Sequence, residues 1–174
     1  MDKQSQEVLL TLARDSLASA VAGGDRSFVT SDLPDLQASV GAFVTLTIEG
    51  QLRGCIGRLT SDKPLYVTIQ DMAVSAGLED PRFAPVRESE LEALSFEISV
   101  LSPFQEVDSI STIQVGVNGL LLQHARGSGV LLPQVPGEHG WDRDQFLVQI
   151  SRKAGLEDMA WREGRLFSFT AEVF

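Results

Sequence analysis

Cysteine occurs once in this chain, at position 55, and histidine only at 124 and 139. A lone cysteine cannot close an internal disulfide, and with two histidines beside it a closed Cys/His zinc site is hard to assemble. No structural metal is expected, and no cofactor is called for. Long apolar runs are also missing: nothing approaches the ~20 residues of a membrane helix, and the start, "MDKQSQEVLL", is polar then amphipathic rather than signal-like. A cytoplasmic protein with no membrane partner is the expectation. Basic residues are scarce, 14 against 24 acidic ones, for a formal net charge of -10. That balance opposes the phosphate neutralisation on which nucleic-acid affinity rests, so a nucleic-acid partner is not expected. Of the 14 basic residues 11 are arginines, the side chain suited to bidentate carboxylate or phosphate recognition, which keeps a local anion pocket open.

What is present suits one domain with a real core: 174 residues, 43% hydrophobic. Val8, Leu9, Leu12, Ala13, Leu17, Ala20 and Val21 recur at helical spacing, predicting a helix over Gln4–Ala22 ended by Gly23-Gly24. "GAFVTLTIEGQLRGCIG" reads as a β-hairpin turning at Glu49-Gly50, which places Cys55 on or just beyond its second strand. After "TSDKP", with Ser61 or Asp62 as cap, Leu65, Ile69, Met72, Ala73 and Ala76 line a helix that Pro81 stops near Leu78. "LSFEISVLSP" alternates as a strand, residues 109–136 read as short strands broken by glycines, Asp142–Ala154 as a helix, and "LFSFTAEVF" as one closing strand. The architecture is α+β with an antiparallel or mixed sheet. Phe96, Ile98, Val100, Phe167, Phe169 and Val173 are expected to share one core with Leu9, Leu12 and Leu17.

The chemistry-bearing candidates cluster in "LRGCIG" and "EDPRF". A reactive thiol needs a positive neighbour, and Arg53, two residues from Cys55, shares its face on an unbroken strand. Gly54 and Gly57 would let backbone N–H groups approach a ligand or oxyanion. The bland alternative is equally physical: free cysteine is among the most buried residues, and neighbouring glycines serve close packing of the next helix. For the second motif, Asp80 either closes a turn through nearby backbone N–H groups, with Arg82 paired to an acid and Phe83 in the core, or Arg82 reaches towards the hairpin as an anion-binding arm. His124 at a strand end and His139 in a solvated loop are weaker candidates. Trp141 is expected to pack over a helix start capped by Asp142, and Lys153 to suit the helix dipole.

Six ordered blocks carry a resemblance: "GAFVTL" at 41–46, "LRGCIG" at 52–57, "DPRF" at 80–83, "FEISVLSP" at 96–103, "LLPQV" at 131–135 and "KAGL" at 153–156. Together they resemble the AMMECR domain family, in its bacterial branch called AmmeMemoRadiSam system protein A. The resemblance implies a single AMMECR-like domain over residues 1–174, an α+β fold with a larger and a smaller lobe, and no firmly established activity. It also implies association with a Memo-like, dioxygenase-related protein and a radical S-adenosylmethionine enzyme. Two positions depart from the family's pattern, Asn118 where a histidine is usual and Ser151 where many members have a second cysteine. The leading expectation is a small-molecule-binding or accessory protein whose ligand, a small molecule or anion, meets Arg53, Gly54, Cys55, Gly57, Asp80 and Arg82. One alternative is a thiol-dependent transferase or hydrolase with Cys55 as catalytic nucleophile, and another is a protein-interaction module without a ligand pocket.

Overall fold

The computed structural model describes residues 1–24 and 30–174. They form two compact units, the larger made of Met1–Leu101 with Glu172–Phe174 and the smaller of Ser102–Ala171. Each contains a four-stranded antiparallel sheet and its own apolar core, so the fold is α+β.

In the larger unit helix α1 (Lys3–Val21) starts at Asp2, whose side chain accepts the Ser5 N–H at 2.7 Å, and its apolar stripe buries Leu9, Ala13 and Leu17 completely. Strands β1 (Ala42–Ile48) and β2 (Gln51–Arg58) pair through the two-residue turn Glu49-Gly50, both at positive φ, the handedness that matches strand twist. Helix α2 (Leu65–Leu78) ends where Pro81 keeps Asp80 out of helical backbone. Its N-cap is Pro64 rather than Ser61 or Asp62, because the Ser61 hydroxyl is engaged with Thr68 Oγ1 at 2.8 Å and the Lys63 N–H. Strand β3 (Leu94–Leu101) and the short β8 (Ala171–Val173) complete the order β2-β1-β3-β8. Val44, Leu46, Leu94 and Ile98 project from one face of this sheet into a core with Leu9, Leu17, Ile69 and Met72. Truncating such a buried aliphatic side chain to alanine costs about 2–5 kcal/mol.

In the smaller unit β4 (Gln105–Glu106), β5 (Gly119–His124), β6 (Gly127–Leu131) and β7 (Arg165–Phe169) take the order β4-β7-β5-β6. Helix α3 (Val135–His139) precedes α4 (Arg143–Lys153), which buries Phe146, Leu147 and Ile150 against Leu120, Leu122, Leu131 and Leu166. Asp142 and Gln145 form a reciprocal capping box at the start of α4, and Trp141 packs beside that core, as the sequence predicts. Residues 109–118, read from sequence as strand, are a 3-10 turn and a loop closed by Asn118, whose Oδ1 accepts the Gln114 N–H at 2.8 Å. His139 lies at the end of α3 with its ring stacked on Trp141, centroids 4.6 Å apart, rather than in an open loop.

The closing segment departs most from expectation. It is two strands, because Thr170 leaves the ladder: its N–H donates to Ser102 Oγ and its carbonyl accepts the Ser102 N–H, both at 2.9 Å. β7 stays in the smaller sheet, and β8 joins the larger, where Ile98 and Phe174 exchange both backbone hydrogen bonds. The expected single core is therefore two. Phe96, Ile98 and Val100 pack with α1, Phe169 instead meets Phe104 edge-on at 5.1 Å, and Val173 is 49% exposed.

Candidate functional site

The hairpin contains one irregularity, and it lies inside the motif. Thr47 pairs with Leu52 and Leu46 with Gly54, so two steps on β2 answer one on β1 and Arg53 is the extra residue of a β-bulge. Beyond the bulge Cys55 pairs with Thr45, whose hydroxyl donates to Cys55 Sγ at 3.3 Å. The thiol is half-buried on the face turned away from α1 and α2. Arg53 does not accompany it. Its guanidinium reaches Glu90, Nε to Oε1 at 2.8 Å and Nη2 to Oε2 at 3.1 Å, and Glu90 Oε2 also accepts the Arg87 N–H.

β2 is an edge strand, and the outward backbone groups of Cys55 are met by side chains. The Cys55 N–H donates to Asp80 Oδ2 at 2.9 Å, and the Cys55 carbonyl accepts Arg82 Nη2 at 3.1 Å. Arg82 binds Asp80 through Nε at 2.9 Å, Nη2 at 2.7 Å and its own N–H at 3.1 Å. The pair thus supplies one acceptor and one donor where a neighbouring strand would, which closes the edge at this point. Asp80 is 4% exposed. The Arg82 guanidinium, then the N–H groups of Cys55 and Arg82, hold its carboxyl far below the ordinary range against the opposing effect of burial. Glu90 is likewise held down at about 2, chiefly by Arg53 and then by the Arg87 N–H. Both arginines are raised in turn by their carboxylate partners.

The closeness that each motif glycine permits has an identifiable object. A Cβ on Gly54 would lie 2.1 Å from the Ala76 carbonyl oxygen of α2, and one on Gly57 the same distance from the Phe43 ring. Phe83 is half-buried beneath the Arg82 guanidinium, 5.5 Å from its ring centre, rather than seated in the core. Cys55, Asp80 and Arg82 are therefore joined at the β2 edge through the Asp80 carboxylate, while Arg53 is tied separately to Glu90. An anion arriving there meets guanidinium groups already neutralised by Asp80 and Glu90. His124 and His139 belong to the smaller unit, where the His124 Nδ1 accepts the Arg126 N–H at 3.1 Å in the β5–β6 turn. Ser151 is fully buried, donating to the Leu147 carbonyl and accepting the Trp161 N–H.

Sequence reasoning did not reach Phe43, Thr45, Glu90 or Glu97. Glu97 follows Thr45 in register on β3, so thiol, hydroxyl and carboxylate make a row across three strands. Among the described residues, no three Cys, His, Asp or Glu side chains gather where a metal could be shared. Clefts are present elsewhere on the surface, such as one of about 300 Å³ along α1 lined by Gln4, Glu7, Val8, Thr11 and Leu12.

An α+β chain with two antiparallel sheets and an edge-clamped cysteine hairpin is the class that fold and site define. The AMMECR1 family model matches residues 10–174, and the chain belongs to that family. A protein of Methanothermobacter thermautotrophicus is 38% identical, covering 100% of this chain and 95% of its own. Protein NEQ441 of Nanoarchaeum equitans is 34% identical over 95% of this chain and 97% of its own. The crystal structure of the uncharacterized protein PH0010 from Pyrococcus horikoshii superposes with a TM-score of 0.83 at 35% identity, covering 95% of this chain and 88% of that one.

Proposed function

We propose that this AMMECR1 family member is a small-molecule-binding accessory protein of the cytoplasm, one functional domain built from two units, with its ligand site at the "LRGCIG" hairpin. The observation that carries the reading is the investment at Cys55. A buried carboxylate and a guanidinium hold its outward N–H and carbonyl at the free edge, while a bulge turns its side chain away from the core towards Thr45. A cysteine kept only for packing needs neither. The resemblance to AmmeMemoRadiSam system protein A supports work alongside a Memo-like protein and a radical S-adenosylmethionine enzyme. No described helix is long and apolar enough to cross a membrane, and the acidic balance disfavours nucleic acid.

The test is a thermal-shift screen of the protein against a metabolite library, repeated after Cys55 is blocked with iodoacetamide. The expected result is a ligand that raises the melting temperature of the free-thiol protein and not of the blocked one; a ligand indifferent to the block removes the site from the hairpin. The Thr45 hydrogen bond to sulfur favours a second reading, Cys55 as a nucleophile. The larger unit contains no histidine to act as its base. Complete loss of a measured activity in folded Cys55→Ser protein would transfer the assignment to that reading.

A further inference from the structure

Three features of the face turned away from α1 and α2 point to the same sign of ligand charge. The first is Glu97, an exposed carboxylate on the central part of β3 with no ion pair or hydrogen bond to any described residue. The cations nearest in the motif, Arg53 and Arg82, are held by Glu90 and Asp80 in two-pronged contacts. The second is Phe43, two residues before Thr45 on β1, whose half-buried ring lies across Gly57 because that position has no side chain. Phe43 stands diagonally from Glu97, a spacing of about 7–8 Å between strand positions on one sheet face. The third is the lining around them: Thr45 beside both and Cys55 on the far side of Thr45 add a hydroxyl and a thiol, neither cationic, and the buried Ser99 opposite Phe43 adds no charge. An aromatic ring attracts cations over its face, and an unpaired carboxylate beside it does the same.

We propose that this face binds a small molecule through an ammonium group seated between the Phe43 ring and the Glu97 carboxylate, with Cys55 and Thr45 against the rest of the ligand. The proposal rests on the hairpin being the ligand site, and it replaces an anionic ligand there by a cationic one. The larger unit carries most of the chain's acidic excess, which adds a long-range field of the same preference.

Cys55 is a built-in reporter for the test. Its alkylation by iodoacetamide is followed by mass spectrometry at constant ionic strength with choline, with 3,3-dimethylbutanol as the uncharged carbon isostere of choline, or with inorganic phosphate. Amide NMR shifts of Phe43, Thr45 and Glu97 are recorded in parallel. The expected result is protection by choline that is at least about fivefold stronger than by the isostere. It should be lost in Glu97→Gln and weakened in Phe43→Leu, with circular dichroism confirming both folds; the Glu97 change lies at an exposed strand position and leaves the core intact. Equal protection by the isostere, or undiminished protection in Glu97→Gln, overturns the cation assignment. Protection by phosphate alone overturns it while keeping a ligand at the hairpin. Silence of all three probes also overturns it, and the metabolite screen then decides separately whether the hairpin is a ligand site.

Discussion

Thr45 and Cys55 face each other across the hairpin, hydroxyl to sulfur at 3.3 Å, only because Arg53 is one residue more than the ladder needs. Counting back from the Glu49-Gly50 turn without a bulge would set Val44 opposite Cys55. Val44 is fully buried beneath the helices, and a one-residue slip moves a whole strand to the other face. The bulge is therefore what brings the thiol out of the core. Deleting Arg53 removes the extra residue and leaves Leu52 opposite Thr47, Gly54 opposite Leu46 and Cys55 opposite Thr45 in a regular ladder, with the thiol still on the outer face. Iodoacetamide should then modify the folded variant at about the parent's rate, since thiol reactivity follows access. A rate roughly tenfold slower would mean that the strand had slipped by one residue and that Arg53 is not what sets the thiol's register.

Asp80 and Arg82 should be coupled in stability. Asp80→Asn removes the charge from a buried group that accepts four hydrogen bonds and should cost about 2–4 kcal/mol in urea unfolding. Arg82→Ala leaves the carboxylate buried without its cation and should be damaging although the Arg82 side chain is 54% exposed. The double variant should lose clearly less than the two single losses combined, because each single change strands the other group. Simple additivity would mean that the two side chains act independently on the β2 edge.

Acid lability follows from the same carboxylates, with a definite sign. Glu90 has an ordinary value of 4.5 and is held at about 2 in the folded chain, and Asp80 is depressed further. The unfolded chain takes up their protons first, so their contribution to stability is complete above about pH 4.5 and is lost as pH falls through the folded values. Glu90→Gln and Asp80→Asn should each start from lower stability and show a shallower decline between roughly pH 4.5 and pH 2 in chemical denaturation. A decline as steep as the parent's in the double variant would place the acid sensitivity elsewhere.

How far the sequence reaches is clear from the same residues. The α1 stripe, the hairpin turn and the end of α2 at Leu78 were legible, because helical period, a Glu-Gly pair and a proline each act within a few positions. The bulge was not, since period-2 reasoning assumes an unbroken ladder, and so Arg53 and Cys55 were expected together where they serve different partners. The division of the closing strand was also hidden. Phe167, Phe169, Ala171 and Val173 alternate without interruption, and alternation states which face is apolar but not which sheet the strand joins. The change of sheet lies in the hydrogen bonds of Thr170 to Ser102, residues 68 apart. Asp80 as a turn-former was readable from "DP". That its second oxygen would take the Cys55 N–H, 25 residues away, was not.

The two motif glycines should respond differently to the smallest possible enlargement. An added methyl at either position begins 2.1 Å from its neighbour, so contact distance alone does not separate them. The nature of the neighbour does. At Gly54 the obstacle is the Ala76 carbonyl, main chain inside α2, and relief requires the helix to move off the sheet together with Ile69, Met72 and Ala73. At Gly57 the nearest atoms belong to the Phe43 ring, which can turn about its side-chain bonds, although the Ala42 carbonyl at 2.7 Å limits the gain. Gly54→Ala should therefore cost about 3 kcal/mol or more, at the upper end of overpacking penalties, and Gly57→Ala about 1–2 kcal/mol. Gly57→Ala should also displace the Phe43 ring, so choline protection of Cys55 should fall more in that variant than its modest loss of stability would suggest. Equal melting losses for the two would mean that α2 yields as easily as a side chain, and that the packing of helix on strand is looser than the 2.1 Å approach requires.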